Sequence, residues 1–292
     1  MTTWKGQSRG NLLGYKLFFW ILRNLGLGFA YFILRFVALY FFFFSFKAFR
    51  PSWYYFGQRL EMGFWRSLLS IYRNKYVFGQ VLIDKVALMS EMGESFTFDF
   101  EGRQEMWKTL NQGKGAIIVS AHAGNWEAAS HFFSTLGRED KEKKVNVVMF
   151  DGEHQQIKRF FEGVMTEKKI HIIVIKQDLS HLIEINRAMK ANEIICLHGD
   201  RFVEGSKTID CEFLGENARF PMGPFYMASR YNKPLAFTLA LKAGKKHYRF
   251  EAMPYSGEDT SPEATAQAFA HWLGEKMSQY PTQWFNFYHF WK

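Results

Sequence analysis

The sequence predicts an α/β fold in which a mostly parallel central sheet is flanked by helices, preceded by an N-terminal hydrophobic, membrane-associated helical segment. From residue 113 onward, short apolar runs alternate with helical stretches, which is typical of a parallel sheet. These runs are nearly continuous in Ile, Val and Leu, as expected of strands covered on both faces. The first third of the chain instead combines long aromatic stretches with an excess of positive charge.

Composition indicates a globular protein with an unusually high aromatic content. Of its 292 residues, 48% are hydrophobic and 22% are charged, which excludes a disordered or collagen-like chain. Phe, Tyr and Trp together make up 18% of the sequence. The two cysteines, Cys196 and Cys211, are too few for a disulfide framework or a four-cysteine zinc site, and they fit a reducing compartment.

The positive charge is concentrated at the N-terminal end. Residues 1–90 contain twelve Lys and Arg against two acidic residues, whereas the remaining residues contain 25 basic and 26 acidic ones. A basic stretch suits either nucleic acid or an anionic membrane. Here the residues between the charges are Phe, Leu, Ile and Tyr, so the sequence favours an anionic membrane as partner and no nucleic acid.

Segment 1–50 is predicted to attach the protein to a membrane. Its apolar runs 24–34 and 36–46 flank Arg35, and neither alone reaches the roughly 20 residues that a spanning helix needs. Spanning as one helix would place Arg35 near the bilayer centre, which makes insertion marginal. A helix lying in the interface and a buried helical hairpin are the alternatives. The apolar region is too long and begins too late for a cleavable signal peptide, so we expect the body to stay cytoplasmic.

Two further regions follow, a helical region at 51–112 that packs on the core and a single α/β core at 113–292. In the core the predicted strands are 116–121, 145–150, 171–175, 194–197 and 235–241, with 247–252 as an edge strand. The predicted helices are 125–136, 155–168 and 179–191. A last helix begins after Ser261 by the N-cap rules, and the aromatic tail 284–291 is expected to pack on the core or the membrane.

The main candidate for chemistry is the turn 121–127, Ala-His-Ala-Gly-Asn-Trp-Glu. It follows a predicted strand, so His122 lies at a carboxyl strand end, where open α/β sheets bind ligands. Gly124 permits close backbone approach, and Asn125 can cap the following helix. From the first helical turn, the Glu127 carboxylate can fix the imidazole tautomer and leave the other ring nitrogen as a general base. The alternative is that Glu127 only favours the helix N-terminus and His122 fills the core.

Two other motifs are weaker candidates. The strand 194–197 ends in His-Gly-Asp-Arg, whose plainest interpretation is a polar loop with an Asp200–Arg201 surface pair. Residues 219–225 form a turn into a helix that is most simply structural. The remaining histidines lack metal-ligand spacing, and the sequence has no P-loop, Rossmann fingerprint or Gly-x-Ser-x-Gly nucleophile elbow. The acidic neighbours of Cys211 disfavour a reactive thiolate.

The segment from His122 to Glu127 resembles the His-x4-Asp/Glu box of the glycerolipid acyltransferases. It is most similar to the His-x-Gly-Asn-Trp-Glu form of the bacterial lipid A biosynthesis (lauroyl/myristoyl) acyltransferases. Further features resemble that family in the same order: the apolar and basic N-terminal segment, a Pro-Asp-Gln-like triplet matched by Asp200, a Phe-Phe-Gly-like segment at 212–215, the Pro/Gly turn at 220–228 and Pro-x-x-Trp at 281–284. The chain departs from the family pattern at Gly199, at Arg201 and in a tail without basic residues.

The resemblance implies acyl transfer from acyl carrier protein, or less often coenzyme A, to a lipid hydroxyl at the cytoplasmic face of the inner membrane. His122 would remove the hydroxyl proton, with Glu127 orienting the imidazole. The N–H groups around Gly124 and Asn125 would serve as oxyanion donors. The substrate-binding residues expected on this basis are Asp200, Arg201, Arg219 and Gly223, with the two arginines holding a phosphate. No metal or redox cofactor is expected.

Three other functions stay open at this point. The first is an acyltransferase for another acceptor, such as a lysophospholipid, an amino-acid lipid or a pigment ester. The second is a thiol hydrolase that uses Cys211 as its nucleophile. The third is a membrane adaptor without catalytic activity.

Overall fold

The computed structural model of the chain describes residues 12–88, 91–128, 144–150, 170–175, 178, 180–202 and 205–291. Within these residues, seven strands form one mixed sheet, and two others form a separate hairpin. The helices are α1 (Leu12–Phe44), α2 (Phe46–Trp53), α3 (Phe64–Leu88), α4 (Arg103–Leu110), α5 (Ser180–Lys190), α6 (Gly223–Tyr231) and α7 (Pro262–Gln279). A π-helical turn, Tyr54–Arg59, continues directly from α2.

The strands are β1 (Thr97–Glu101), β2 (Ala116–Ser120), β3 (Val145–Phe150), β4 (Ile170–Ile175), β5 (Ile194–His198), β6 (Thr208–Phe213), β7 (Glu216–Pro221), β8 (Leu235–Lys242) and β9 (His247–Pro254). The large sheet has the order β1-β9-β8-β2-β5-β3-β4, and only its β8–β9 pair is antiparallel among the described residues. The predicted mostly parallel sheet flanked by helices is therefore confirmed.

Three elements differ from the sequence-based prediction. Residues 247–254 do not form an edge strand, because β9 pairs with β1 on one side and with β8 on the other. The region 51–112 is not wholly helical, since it contributes the edge strand β1. The hairpin β6–β7 covers part of the segment expected to be a turn. Most of the predicted helix 125–136 and all of 155–168 lie outside the described residues.

The central strand β2 sets the geometry of the site. Its residues Ala116 to Val119 are fully buried, as expected of an apolar strand covered on both faces. It pairs in parallel with β5, and Ser120 at its end stands opposite His198 at the end of β5. The residues that follow the two strands therefore emerge side by side at the same edge of the sheet.

The N-terminal helix α1 has a kink at Gly26, where φ is +79°, packs lengthwise on α3 and is buried on one side only. Its apolar part, Lys16–Phe44, is long and apolar enough to cross a membrane, yet most of it is exposed. The structure therefore does not support a buried helical hairpin. At the other end of the chain the aromatic tail folds back onto the core, where Trp284 and Phe290 are almost completely buried. The Ser261 hydroxyl caps α7 by accepting from the Ala264 N–H at 3.2 Å, as predicted.

Candidate active site

His122 and Asp200 meet at the carboxyl ends of β2 and β5. The Asp200 Oδ1 lies 2.7 Å from His122 Nδ1, and the main-chain N–H of His122 donates to Asp200 Oδ2 at 2.9 Å. Each residue comes two positions after a strand partner, since Ser120 and His198 stand opposite each other. The strand register thus places a carboxylate on the imidazole although 78 residues separate the two in sequence.

The Asp200 carboxylate is buried and ionised. It is 1% exposed and also accepts a hydrogen bond from the indole N–H of Trp284 at 3.2 Å. Burial by itself would raise the pKa of Asp200, but the contact with His122 and the charge of Arg201 together hold that pKa below its usual range. An ionised carboxylate only accepts hydrogen bonds, so His122 carries its proton on Nδ1. The other ring nitrogen, Nε2, then has the lone pair of a general base.

The predicted carboxylate partner of His122 was Glu127. Among the described side chains, the imidazole binds the carboxylate of Asp200, which was not predicted as its partner. The backbone of Glu127 forms a 3-10 turn, Trp126–Ala128, but its side chain lies outside the described residues. Its orienting role therefore stays a prediction. The expectation of an Asp200–Arg201 surface pair is wrong, because Asp200 is buried. His122 does not simply fill the core, since 24% of its side chain is exposed.

Gly124 allows the loop after β2 to press against the main chain of β8. Its φ of +64° lies in the left-handed region, and a Cβ at this position would come within 2.0 Å of the Ala240 carbonyl oxygen. Only glycine satisfies both conditions. The predicted close backbone approach at Gly124 is thus present, and its partner is the protein's own sheet.

The predicted oxyanion donors, Gly124 and Asn125, have other partners in the structure. The Gly124 N–H donates to the Gln283 carbonyl at 2.9 Å, and the Asn125 N–H donates to the Ala240 carbonyl at 2.7 Å. An amide already bonded inside the protein does not stabilise a substrate oxygen unless that bond opens. In this structure the two amides fix the His122 loop to β8 and to the C-terminal tail, and their role as oxyanion donors stays a prediction.

His198 is a further residue of the site. The sequence analysis named the His-Gly-Asp-Arg motif that contains it but predicted no role for this histidine. Its ring centroid lies 4.1 Å from that of His122, and the indole of Trp126 meets the His198 ring edge-on at 5.7 Å. Burial, followed by the charges of His122 and Arg201, lowers the pKa of His198 well below its usual value against the opposing effect of Asp200. A neutral imidazole therefore packs beside the candidate base at neutral pH.

The two predicted phosphate-binding arginines lie in different elements. Arg201 follows Asp200, and its guanidinium donates to the Phe285 carbonyl at 2.6 Å and lies 5.9 Å from the Tyr288 ring centroid. This contact ties the aromatic tail to the site. Arg219 belongs to β7, with its guanidinium 5.9 Å from the Phe202 ring centroid. Gly223 begins α6. The substrate-binding roles of these residues stay predictions.

Cys211 has the character of a core residue. It is 1% exposed on β6, and burial, together with the Asp210 charge, raises the pKa of its thiol to about 11. The thiol is therefore protonated at neutral pH and is a poor nucleophile. Burial also raises the pKa of the Cys196 thiol. These environments argue against a thiol hydrolase.

A comparison with protein families identifies the chain. The model of the family described as bacterial lipid A biosynthesis acyltransferase matches residues 72–292. The protein belongs to this family. It is therefore an acyltransferase, as the His122–Glu127 box predicted. The match includes the His122 loop, Asp200 and the aromatic tail of this lipid A biosynthesis acyltransferase, and it leaves α1 and α2 outside. A comparison with curated proteins gave no match.

Proposed function

We propose that the protein transfers a fatty acyl chain from an acyl thioester, carried by acyl carrier protein or coenzyme A, to a hydroxyl of a lipid A precursor. The observation that carries this proposal is the His122–Asp200 pair, in which a buried carboxylate binds the imidazole Nδ1 and so makes Nε2 the ring nitrogen with the basic lone pair. Membership of the lipid A biosynthesis acyltransferase family supports the type of donor and acceptor.

In the proposed reaction His122 acts as a general base through Nε2. It takes the proton of the acceptor hydroxyl while the hydroxyl oxygen attacks the thioester carbonyl, so that a C–O bond forms and the C–S bond then breaks. The imidazolium returns the proton to the departing thiolate. Asp200 remains ionised and stabilises the imidazolium, as carboxylates do in Ser-His-Asp enzymes. The exchange moves no electrons between oxidation states, so no redox cofactor is proposed.

We place this reaction on the cytoplasmic side of the inner membrane. The apolar helix α1 and the surplus of Lys and Arg in residues 1–90 support attachment to an anionic membrane. A lipid acceptor embedded in that membrane would then reach the site without leaving the bilayer. The other acceptors named above, a lysophospholipid, an amino-acid lipid or a pigment ester, are outcomes of the test.

The test is mass spectrometry of lipids from cells that carry the wild-type protein or the variant His122→Ala. We expect an acylated lipid A species that only the wild-type cells contain, and its mass gives the acceptor and the acyl chain together. Transfer to a different lipid would correct the acceptor. Identical lipid profiles would contradict the proposal and favour a non-catalytic adaptor. Cys211→Ser is the matched control, because a thiol hydrolase would lose its activity in that variant.

A further inference from the structure

Helix α1 presents two different apolar faces. One face is buried against α3 and β9, and its members are Leu22, Leu27, Ala30, Tyr31, Leu34 and Ala38. The opposite face is exposed and largely aromatic after the kink at Gly26, and its members there are Phe29, Phe32, Phe36, Leu39, Tyr40, Phe43 and Phe44, while Trp20 and Leu25 are exposed before the kink. Exposed apolar patches of this extent mark an interaction surface.

The exposed aromatic face continues onto the next elements. Phe46 at the start of α2 and Phe64, Trp65 and Leu69 at the start of α3 are exposed as well, with Trp65 at 79%. Exposed cations accompany these side chains, namely Lys16, Arg23, Arg35, Lys47, Arg50, Arg66 and Arg73. A wide apolar surface surrounded by cations matches one leaflet of an anionic bilayer, whose head groups attract the cations and whose acyl chains take the rings.

The buried side of α1 shows how the helix sits in that bilayer. Tyr31 lies near the middle of the apolar stretch Lys16–Phe44, and its hydroxyl donates to the buried Asp84 carboxylate of α3. The same carboxylate binds the Lys242 ammonium of β8 at 2.5 Å. The middle of α1 is thus joined to the central sheet through polar groups. The middle of α1 and this end of β8 must therefore lie at the same depth relative to the bilayer.

A spanning helix is incompatible with these contacts. With Tyr31 at the bilayer centre, the exposed residues Lys245 and Lys246 of the β8–β9 loop would enter the hydrocarbon, because Lys245 Nζ lies 3.1 Å from where a Cβ of Gly28 would be. Irregular main chain exposed to lipid and charged side chains at that depth are both strongly unfavourable. The edge strand β1, which pairs with the neighbouring β9, would then enter the hydrocarbon as well.

We infer that α1 lies in the plane of the membrane, with its aromatic face inserted into one leaflet and its other face docked on the enzyme body. The inference rests on the proposed attachment to an anionic membrane and adds the geometry of that attachment. It places the β8–β9 loop in water and leaves the whole α/β core on a single side of the bilayer.

The experiment measures the depth of labels on the full-length protein bound to vesicles of phosphatidylglycerol and phosphatidylethanolamine. Single nitroxide-labelled cysteines replace Trp20, Phe32 or Phe44 in a chain whose two native cysteines are changed to alanine. Ile183→Cys, an exposed apolar position on α5, is the matched control. We expect three similar, shallow depths of about 5–10 Å below the head groups, with the control label in water. A label at residue 32 in the bilayer centre, with 20 and 44 at opposite surfaces, would overturn the inference, and so would three labels in water.

A second experiment measures vesicle binding of unlabelled variants, in case the labelled proteins fold poorly. Phe32→Asp is expected to weaken vesicle binding about tenfold or more, because a carboxylate does not enter the acyl-chain region, whereas Ile183→Asp leaves binding unchanged. Unchanged binding of Phe32→Asp would overturn the inference. Conversion of a dimer to a monomer by this variant would overturn it in favour of a second copy of the chain as the occupant. Acyl transfer to a detergent-dispersed acceptor is measured in parallel, so that a failed geometry is distinguished from a failed reaction.

Discussion

Asp200 binds His122 twice, through the imidazole Nδ1 at 2.7 Å and through the main-chain N–H at 2.9 Å. The two contacts fix both the backbone and the ring of the candidate base. They exist because β2 and β5 pair side by side in the sheet, so that the segments following the two strands begin next to each other. The buried Trp284 indole completes the hydrogen bonds to the carboxylate and links the C-terminal tail to the site.

Asp200→Asn is expected to reduce kcat by about 10²–10⁴-fold, because an amide does not hold the Nδ1–H tautomer or stabilise the imidazolium. The measurement is steady-state acyl transfer with the purified protein. Asp210→Asn, at an exposed carboxylate on β6, is the control and should keep wild-type kcat. Nearly normal turnover by Asp200→Asn would mean that another carboxylate, with Glu127 the first candidate, orients the base.

His198 is expected to make the protein less stable in mild acid. Folding lowers the pKa of His198, so below pH 6.5 the unfolded state binds a proton at this residue and the folded state does not. Stability therefore falls as the pH drops through 6.5 towards the folded pKa. The Tm measured in detergent should decrease less between about pH 7.5 and pH 5.5 in His198→Gln than in the wild type. His271→Gln, at an exposed histidine, should follow the wild type.

Gly124→Ala is expected to unfold or strongly destabilise the protein, because its Cβ would collide with the Ala240 carbonyl oxygen at 2.0 Å. Gly215→Ala separates this collision from backbone strain. Gly215 also has a positive φ, +77°, but no atom lies within 4 Å of its added Cβ. We expect Gly215→Ala to cost only the left-handed strain, about 1–2 kcal/mol. Equal Tm losses in the two variants would contradict the proposed close packing on β8.

The buried Asp84–Lys242 pair is expected to be costly to break on one side only. Lys242 Nζ lies 2.5 Å from Asp84 Oδ2, and neither side chain is more than 7% exposed. Lys242→Met leaves an unpaired buried carboxylate, at a cost of about 3–5 kcal/mol. The double variant Asp84→Asn with Lys242→Met removes both charges but keeps a carbonyl oxygen for the Tyr31 and Tyr248 hydroxyls, so it should recover much of the lost Tm. Lys144→Met, which removes an exposed ammonium 3.9 Å from Glu193, should change the Tm little. A double variant no more stable than Lys242→Met would contradict this account.

Much of the sheet was predictable from local sequence. The five apolar runs between residues 116 and 241 match strands to within two residues, because strands covered on both faces must be apolar throughout. The strand Thr97–Glu101 was missed, since it lies at the sheet edge after a long helix and alternates exposed with half-buried residues. The hairpin β6–β7 also alternates in burial, with the left-handed residues Leu214 and Gly215 at its turn.

The site was predictable only in part. His122 was recognisable because its loop follows a buried strand and carries a family-like box. The pairing with Asp200 depends on which strands are neighbours, and neither strand order nor register follows from a spacing of 78 residues. The contribution of Trp284 depends on the tail folding back over the core. The sequence indicated an aromatic tail but not its contact with the carboxylate.

The most direct test of the account is the single-turnover rate of acyl transfer by His122→Gln, with acyl carrier protein thioester as donor and a lipid A precursor as acceptor. Glutamine keeps a polar side chain next to Asp200 but does not act as a base at neutral pH. We predict a fall of at least about 10²–10³-fold, with the Tm and vesicle binding unchanged. A rate close to that of the wild type, in a variant that folds normally, would contradict general-base catalysis by His122.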